Sequence, residues 1–98
     1  MTENAFQNKI INLCKWLGLA VYHTYDSRMS VAGFPDLVIV GRHGVIFAEL
    51  KSTKGKVSLA QEEWLNRLRQ ADALVFLWRP EDWPEVENRL TELAGRSR

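Results

Sequence analysis

The chain has 98 residues, 46% hydrophobic and 26% charged, with a net charge of +1; this is the composition of one globular domain over residues 1–98, and it argues against disorder and against binding polyanions by bulk charge. A single cysteine, Cys14, excludes a disulfide framework and a cysteine-based zinc site and fits a reducing, cytoplasmic setting. No apolar run approaches the ~20 residues of a membrane helix, and the chain does not open as a signal peptide does.

Residues 3–18 read as a helix, because Phe6, Ile10, Leu13 and Leu17 recur at three- and four-residue steps and Gly18 is a stop. Residues 21–25 are rich in β-branched and aromatic types and read as a strand, followed by a loop over 26–34. Two apolar runs at 37–40 and 45–50 flank Gly41-Arg42-His43-Gly44, which is a hairpin signal. A polar, basic loop over 52–56 leads to an amphipathic helix over 58–72, with Trp64, Leu65, Leu68 and Ala71 on its buried side. Residues 73–78 form a buried strand and 84–94 a closing helix, with Pro84 in its first turn, where a missing N–H costs nothing. Residues 95–98 read as a frayed tail. The order α-β-β-β-α-β-α predicts an α/β fold: a hairpin, then a right-handed crossover to a parallel strand, giving a mixed four-stranded sheet flanked by helices.

The informative stretch is Pro35-Asp36 followed by Glu49-Leu50-Lys51. Whether Gly41 faces Gly44 or Val40 faces Val45 across a longer loop, the register puts Asp36 opposite Glu49. Their Cβ atoms would then stand about 4.5–5.5 Å apart, and like charges so placed destabilise a sheet. A hard divalent cation between them removes that penalty, and oxygen ligands are what Mg²⁺ takes. Lys51, two residues beyond Glu49, projects from the same face. The Leu50 carbonyl offers a further oxygen. Each half has an ordinary explanation, since Pro-Asp starts many strands and Glu-x-Lys is often a solvated ion pair. Together they suit phosphodiester hydrolysis: a metal activates water and a lysine orients it or stabilises charge building on phosphorus.

Glu3 shares the helical stripe of Phe6 and Ile10 and is expected to look inward, although a first-turn acid also complements the helix dipole. Gln61 lies on the buried side of its helix, while Ser58-x-x-Gln61 matches a capping box. The cap and a role in the site are both open, and one side chain is not expected to serve both.

At this point the residues resemble a known family. Glu3, Gly33-Phe34-Pro35-Asp36-Leu37-Val38, Phe47-Ala48-Glu49-Leu50-Lys51-Ser52, Ser58 with Gln61, and Leu77-Trp78-Arg79-Pro80 are similar to the VRR-NUC family, the virus-type replication-repair branch of the PD-(D/E)xK nucleases. The resemblance covers the chain from Glu3 to about Leu90. It implies a restriction-endonuclease-like core, Mg²⁺- or Mn²⁺-dependent cleavage of DNA without an organic cofactor, and a compact stand-alone form of the kind found in phages. Carried over by position, Asp36 and Glu49 are metal ligands, Lys51 is the catalytic lysine, Glu3 is the first-helix acid and Gln61 is the glutamine after the catalytic strand.

Charge is distributed unevenly. Residues 28–56 carry a net +3 through Arg28, Arg42, Lys51, Lys54 and Lys56, whereas residues 79–92 carry −3. Lys54 and Lys56 are the expected phosphate contacts. Arg28 is the second candidate, with Met29 or Phe34 against a base or ribose. No helix-turn-helix, zinc finger or RNP-type pattern is present, so shape or junction recognition is expected rather than groove reading. Two opposed cuts need two sites, which a symmetric homodimer supplies, with Trp78 or Trp83 at its interface. His23 and His43 are assigned no role, and Cys14 is expected to be buried and inert. The resulting expectation is a metal-dependent, structure-selective DNA endonuclease, with four-way (Holliday) junctions as first substrate. The alternatives are an inactive DNA-binding or assembly module of the same fold, and a nicking or RNA nuclease without junction preference.

Overall fold

A computed structural model describes residues 1–24 and 31–95. The first helix, α1 (Glu3–Leu17), is capped by the Thr2 hydroxyl, which accepts the Ala5 N–H. It ends at Gly18, a left-handed residue whose N–H reaches back to the last turn. Three strands follow, β1 (Ala20–His23), β2 (Leu37–Gly41) and β3 (Gly44–Leu50). Helix α2 (Leu59–Gln70), strand β4 (Leu74–Trp78), a short 3₁₀ turn (Pro80–Asp82) and helix α3 (Trp83–Leu93) complete the chain. The α-β-β-β-α-β-α order is as the patterning predicts. Of the strand expected at 21–25, Tyr25 lies outside the described residues, as do residues 96–98 of the expected tail.

The sheet order is β1-β2-β3-β4, antiparallel except for the β3–β4 pair, which α2 joins as a crossover. Gly41 faces Gly44 across a two-residue turn, so the shorter of the two hairpin closures forms and the register is the expected one. Gly41 is required by close approach: a Cβ there would lie 2.5 Å from the Leu93 carbonyl oxygen. The end of α3 therefore packs directly on the hairpin.

Alternation along the strands gives the sheet two unlike faces. Leu37, Ile39, Ile46, Ala48 and Leu50 point to one side and are buried against Phe6, Ile10 and Cys14 of α1 and Val86, Leu90 and Leu93 of α3. Burial pushes the Cys14 thiol up to about 12, so it stays protonated. The other side carries Val38, Val40, Val45, Phe47 and Glu49, and α2 covers part of it, burying Leu65 and Val75. Ala71 is exposed, not buried as its spacing predicts, because α2 ends at Gln70 and Ala71 is its cap. Trp78 is 0% exposed and so offers no ring to the expected dimer interface, while Trp83 is half-buried beneath Lys9. Among the described residues, no helix is long and apolar enough to cross a membrane.

Candidate active site

The half-covered face holds the acids. The last ladder pair of the hairpin is Leu37↔Ala48, and one further step sets Asp36 opposite Glu49. Asp36 is fixed from both sides. The Thr24 N–H donates to its carbonyl at 2.8 Å, the Thr24 hydroxyl donates to the Pro35 carbonyl at 2.9 Å, and the Leu50 N–H donates to Asp36 Oδ2 at 2.8 Å. In an extended strand the carbonyl leaves the same edge as the N–H, so the Leu50 carbonyl is turned toward the Asp36 side as well.

Glu49 is only 1% exposed. Its Oε2 accepts a hydrogen bond from Gln61 Nε2 at 2.9 Å and faces Lys51 Nζ at 3.8 Å. Its Oε1 is buried and, among the described residues, has no hydrogen-bond partner. The Glu49 carboxyl is pushed up from 4.5 to about 8, first by burial and then by the facing Asp36 carboxylate, with a smaller push from Glu3. Lys51 opposes these effects. A buried acid facing a second carboxylate is an arrangement that a cation between the two would relieve.

Gln61 fills both positions that the sequence presents as alternatives. Its Oε1 accepts the Ser58 N–H at 2.9 Å, and its own N–H donates to the Ser58 hydroxyl at 3.2 Å, which closes the capping box. Its Nε2 donates to Glu49. The expectation that one side chain cannot do both fails because an amide has two ends of opposite polarity. The cap in fact decides which end faces the acid. Gly33 makes this possible, since a Cβ there would lie 2.4 Å from the Ala60 carbonyl carbon, so the loop before Asp36 lies flush on the first turn of α2.

Glu3 does not look inward. It is exposed in the first turn of α1, because a residue at the tip of a helix overhangs the core that its own stripe enters. It still acts on Glu49 through space. Lys51 is largely sheltered, its side chain 12% exposed. Lys54 and Lys56 are exposed on the loop that follows. That loop is held by Arg79, which sequence reasoning treats only as a charge and part of a motif: its Nη1 donates to the carbonyls of Ser52 at 2.7 Å and Gly55 at 2.8 Å. The Thr53 hydroxyl adds a 3.1 Å bond to Glu81. Nothing local in the sequence marks Arg79 for this, beyond its place at the end of a strand parallel to β3. Arg28 and Met29 lie outside the described residues. Phe34 is not a free ring; it packs edge-on against Trp64 and Phe47.

The VRR-NUC domain model matches residues 3–81 of this chain. The chain belongs to the VRR-NUC family, a family of nucleases. A solved structure of a "VRR_NUC domain protein" superposes with a TM-score of 0.72 over 95% of this chain and 90% of that one, at 19% identity, which shows a shared fold. No curated protein matches the sequence. Within this VRR-NUC core the donor set suits a hard dication, since it is all oxygen and includes one buried carboxylate oxygen that no described residue hydrogen-bonds. Among the described residues no three acids, histidines or cysteines stand close enough to share an ion. Asp36 and Glu49 are the two carboxylates that the hairpin register sets opposite each other.

Proposed function

We propose that the protein is a metal-dependent endonuclease that hydrolyses phosphodiester bonds in branched DNA, with the four-way junction as the first substrate to test. The observation that carries the reading is Glu49: a buried acid, opposite a second acid, with one oxygen tied to Gln61 and Lys51 and the other without a hydrogen-bond partner among the described residues. Asp36, Glu49 and the Leu50 carbonyl would hold Mg²⁺ or Mn²⁺. When bound, the ion supplies an activated water and neutralises phosphate charge. The Leu50 N–H keeps Asp36 Oδ2 aimed, and Gln61 keeps Glu49 from turning. Lys51, already beside the acids, orients the nucleophile or balances charge on the attacked phosphoryl group. Lys54 and Lys56, on a loop whose carbonyls Arg79 draws inward, hold the flanking phosphates. Paired cuts require two such centres, and each chain contributes one set of acids, so the acting form is a homodimer.

The test is cleavage of a labelled four-way junction with Mg²⁺ or Mn²⁺, beside duplex, flap and RNA controls. Wild type should cut, and Asp36→Ala and Lys51→Ala should not. Equal rates in all three proteins would reject the assignment. Titration calorimetry with Mn²⁺ should show a heat of binding that Asp36→Ala removes.

A further inference from the structure

The face that carries the acids also carries an open aromatic cavity of about 340 Å³, lined by Tyr22, Thr24, Val31, Phe34 and Trp64. We infer that this cavity takes an unpaired nucleobase, so that the preferred DNA has unpaired nucleotides beside the bond to be cut. The inference rests on the nuclease reading above and adds to it what part of a branched substrate is recognised.

Position argues first. The β1–β2 register pairs His23 with Leu37, and one step further Thr24 stands opposite Asp36, to which its N–H is bonded. The cavity thus begins one strand away from the acid pair, about 4.8 Å in a sheet. Its other walls come from the same segments that build the site. Phe34 is two residues before Asp36, and Trp64 lies three residues after Gln61, on the same side of α2. A strand whose phosphate sits at Asp36 and Glu49 has its neighbouring base within reach of this opening.

Chemistry selects the occupant. Phe34 and Trp64 brace each other edge-to-face, 5.1 Å apart at 81°, so one wall is rigid. Tyr22 is 64% exposed on an edge strand, a large ring facing solvent where a stacking partner can lie. An adjoining cavity of about 290 Å³ shares Val31 and Trp64 and adds Glu63 and Arg67. Among the described residues neither of these two side chains makes a hydrogen bond or ion pair. A carboxylate acceptor and a guanidinium donor side by side match the edge of a base, which has both amino donors and carbonyl or ring-nitrogen acceptors. A phosphate would be repelled by Glu63, and an aliphatic side chain from a protein partner would leave both charges unused. A base stacked inside a duplex cannot enter such a pocket, whereas an unpaired one enters at little cost.

The experiment is a fluorescence titration in EDTA, where no cutting occurs. The probes are a duplex ending in a short single-stranded flap that carries 2-aminopurine next to the branch, and the same duplex fully paired. Wild type should prefer the flap by roughly 5- to 150-fold and quench its fluorescent base as that base stacks. Tyr22→Ala, which removes an exposed ring, and Trp64→Leu, which keeps the wall apolar, should each lose most of the preference and the quenching. Equal binding of the two probes by wild type, or an unchanged preference in both variants, would overturn the inference. So would a change of oligomeric state in Tyr22→Ala with DNA binding intact, because a second copy would then be the occupant. Metal-dependent cleavage without these effects leaves the nuclease reading standing alone; these effects without cleavage would do the reverse.

Discussion

The two faces of the sheet are built to different rules. On the α1/α3 side, Leu37, Ile39, Ile46, Ala48 and Leu50 meet two helices and form a closed apolar layer. On the α2 side one helix covers only part of the surface, and the space it leaves holds a buried acid, its lysine and an aromatic cavity. The difference shows how a small domain divides its residues between stability and chemistry. The strand alternation that sends Ala48 and Leu50 into the core sends Glu49 and Lys51 to the other face, so the first side can carry the folding free energy while the second keeps an unfavourably buried acid.

Substitutions can break this division in order of size. Glu49→Gln should reduce metal-dependent cleavage by about a thousandfold, because the dication loses a ligand, yet leave the thermal midpoint in EDTA unchanged or higher, since a strained buried acid is gone. A fall in that midpoint would show that the acid stabilises the fold. On the opposite face, Leu37→Ala should lower unfolding free energy by about 2–5 kcal/mol in a urea titration, while the folded fraction still cuts.

The next effect is pH-dependent. The Glu49 carboxyl, raised to about 8 in the folded protein from 4.5, binds its proton more tightly there than in the unfolded chain. The unfolded state releases it first, so metal-free stability should be full below about pH 4.5 and fall as pH rises through about 8. Denaturant midpoints across that range should show the slope, saturating Mg²⁺ should flatten it, and Glu49→Gln should abolish it. The smallest effect concerns the cap. Ser58→Ala removes the hydroxyl but keeps the N–H that orients Gln61, so it should cost about 1 kcal/mol of stability and leave Mn²⁺ affinity intact. Ser58→Pro fits the local φ of −76° but removes that N–H. It should weaken Mn²⁺ binding measurably in the same calorimetric titration.

Much of this was legible in the chain itself. The hairpin register and the meeting of Asp36 with Glu49 follow from a short turn and a two-residue repeat, both local. So do α1, with its Phe6 and Ile10 stripe and Gly18 stop, and the side on which Lys51 emerges. Other features depended on how distant segments pack. Glu3 overhangs the core because α1 ends there, a matter of where the helix lies and not of its periodicity. Gln61 serves both cap and acid only because α2 lands with its first turn beside β3. Arg79 reaches the loop after β3 because a parallel crossover brings the ends of β3 and β4 together. Tyr22 and Trp64 are 42 positions apart in the chain, and they share a cavity only because β1 and α2 border the same open side of the sheet. Short-range geometry is written into neighbouring residues, whereas contacts between remote segments exist only after the hydrophobic layer has set their positions.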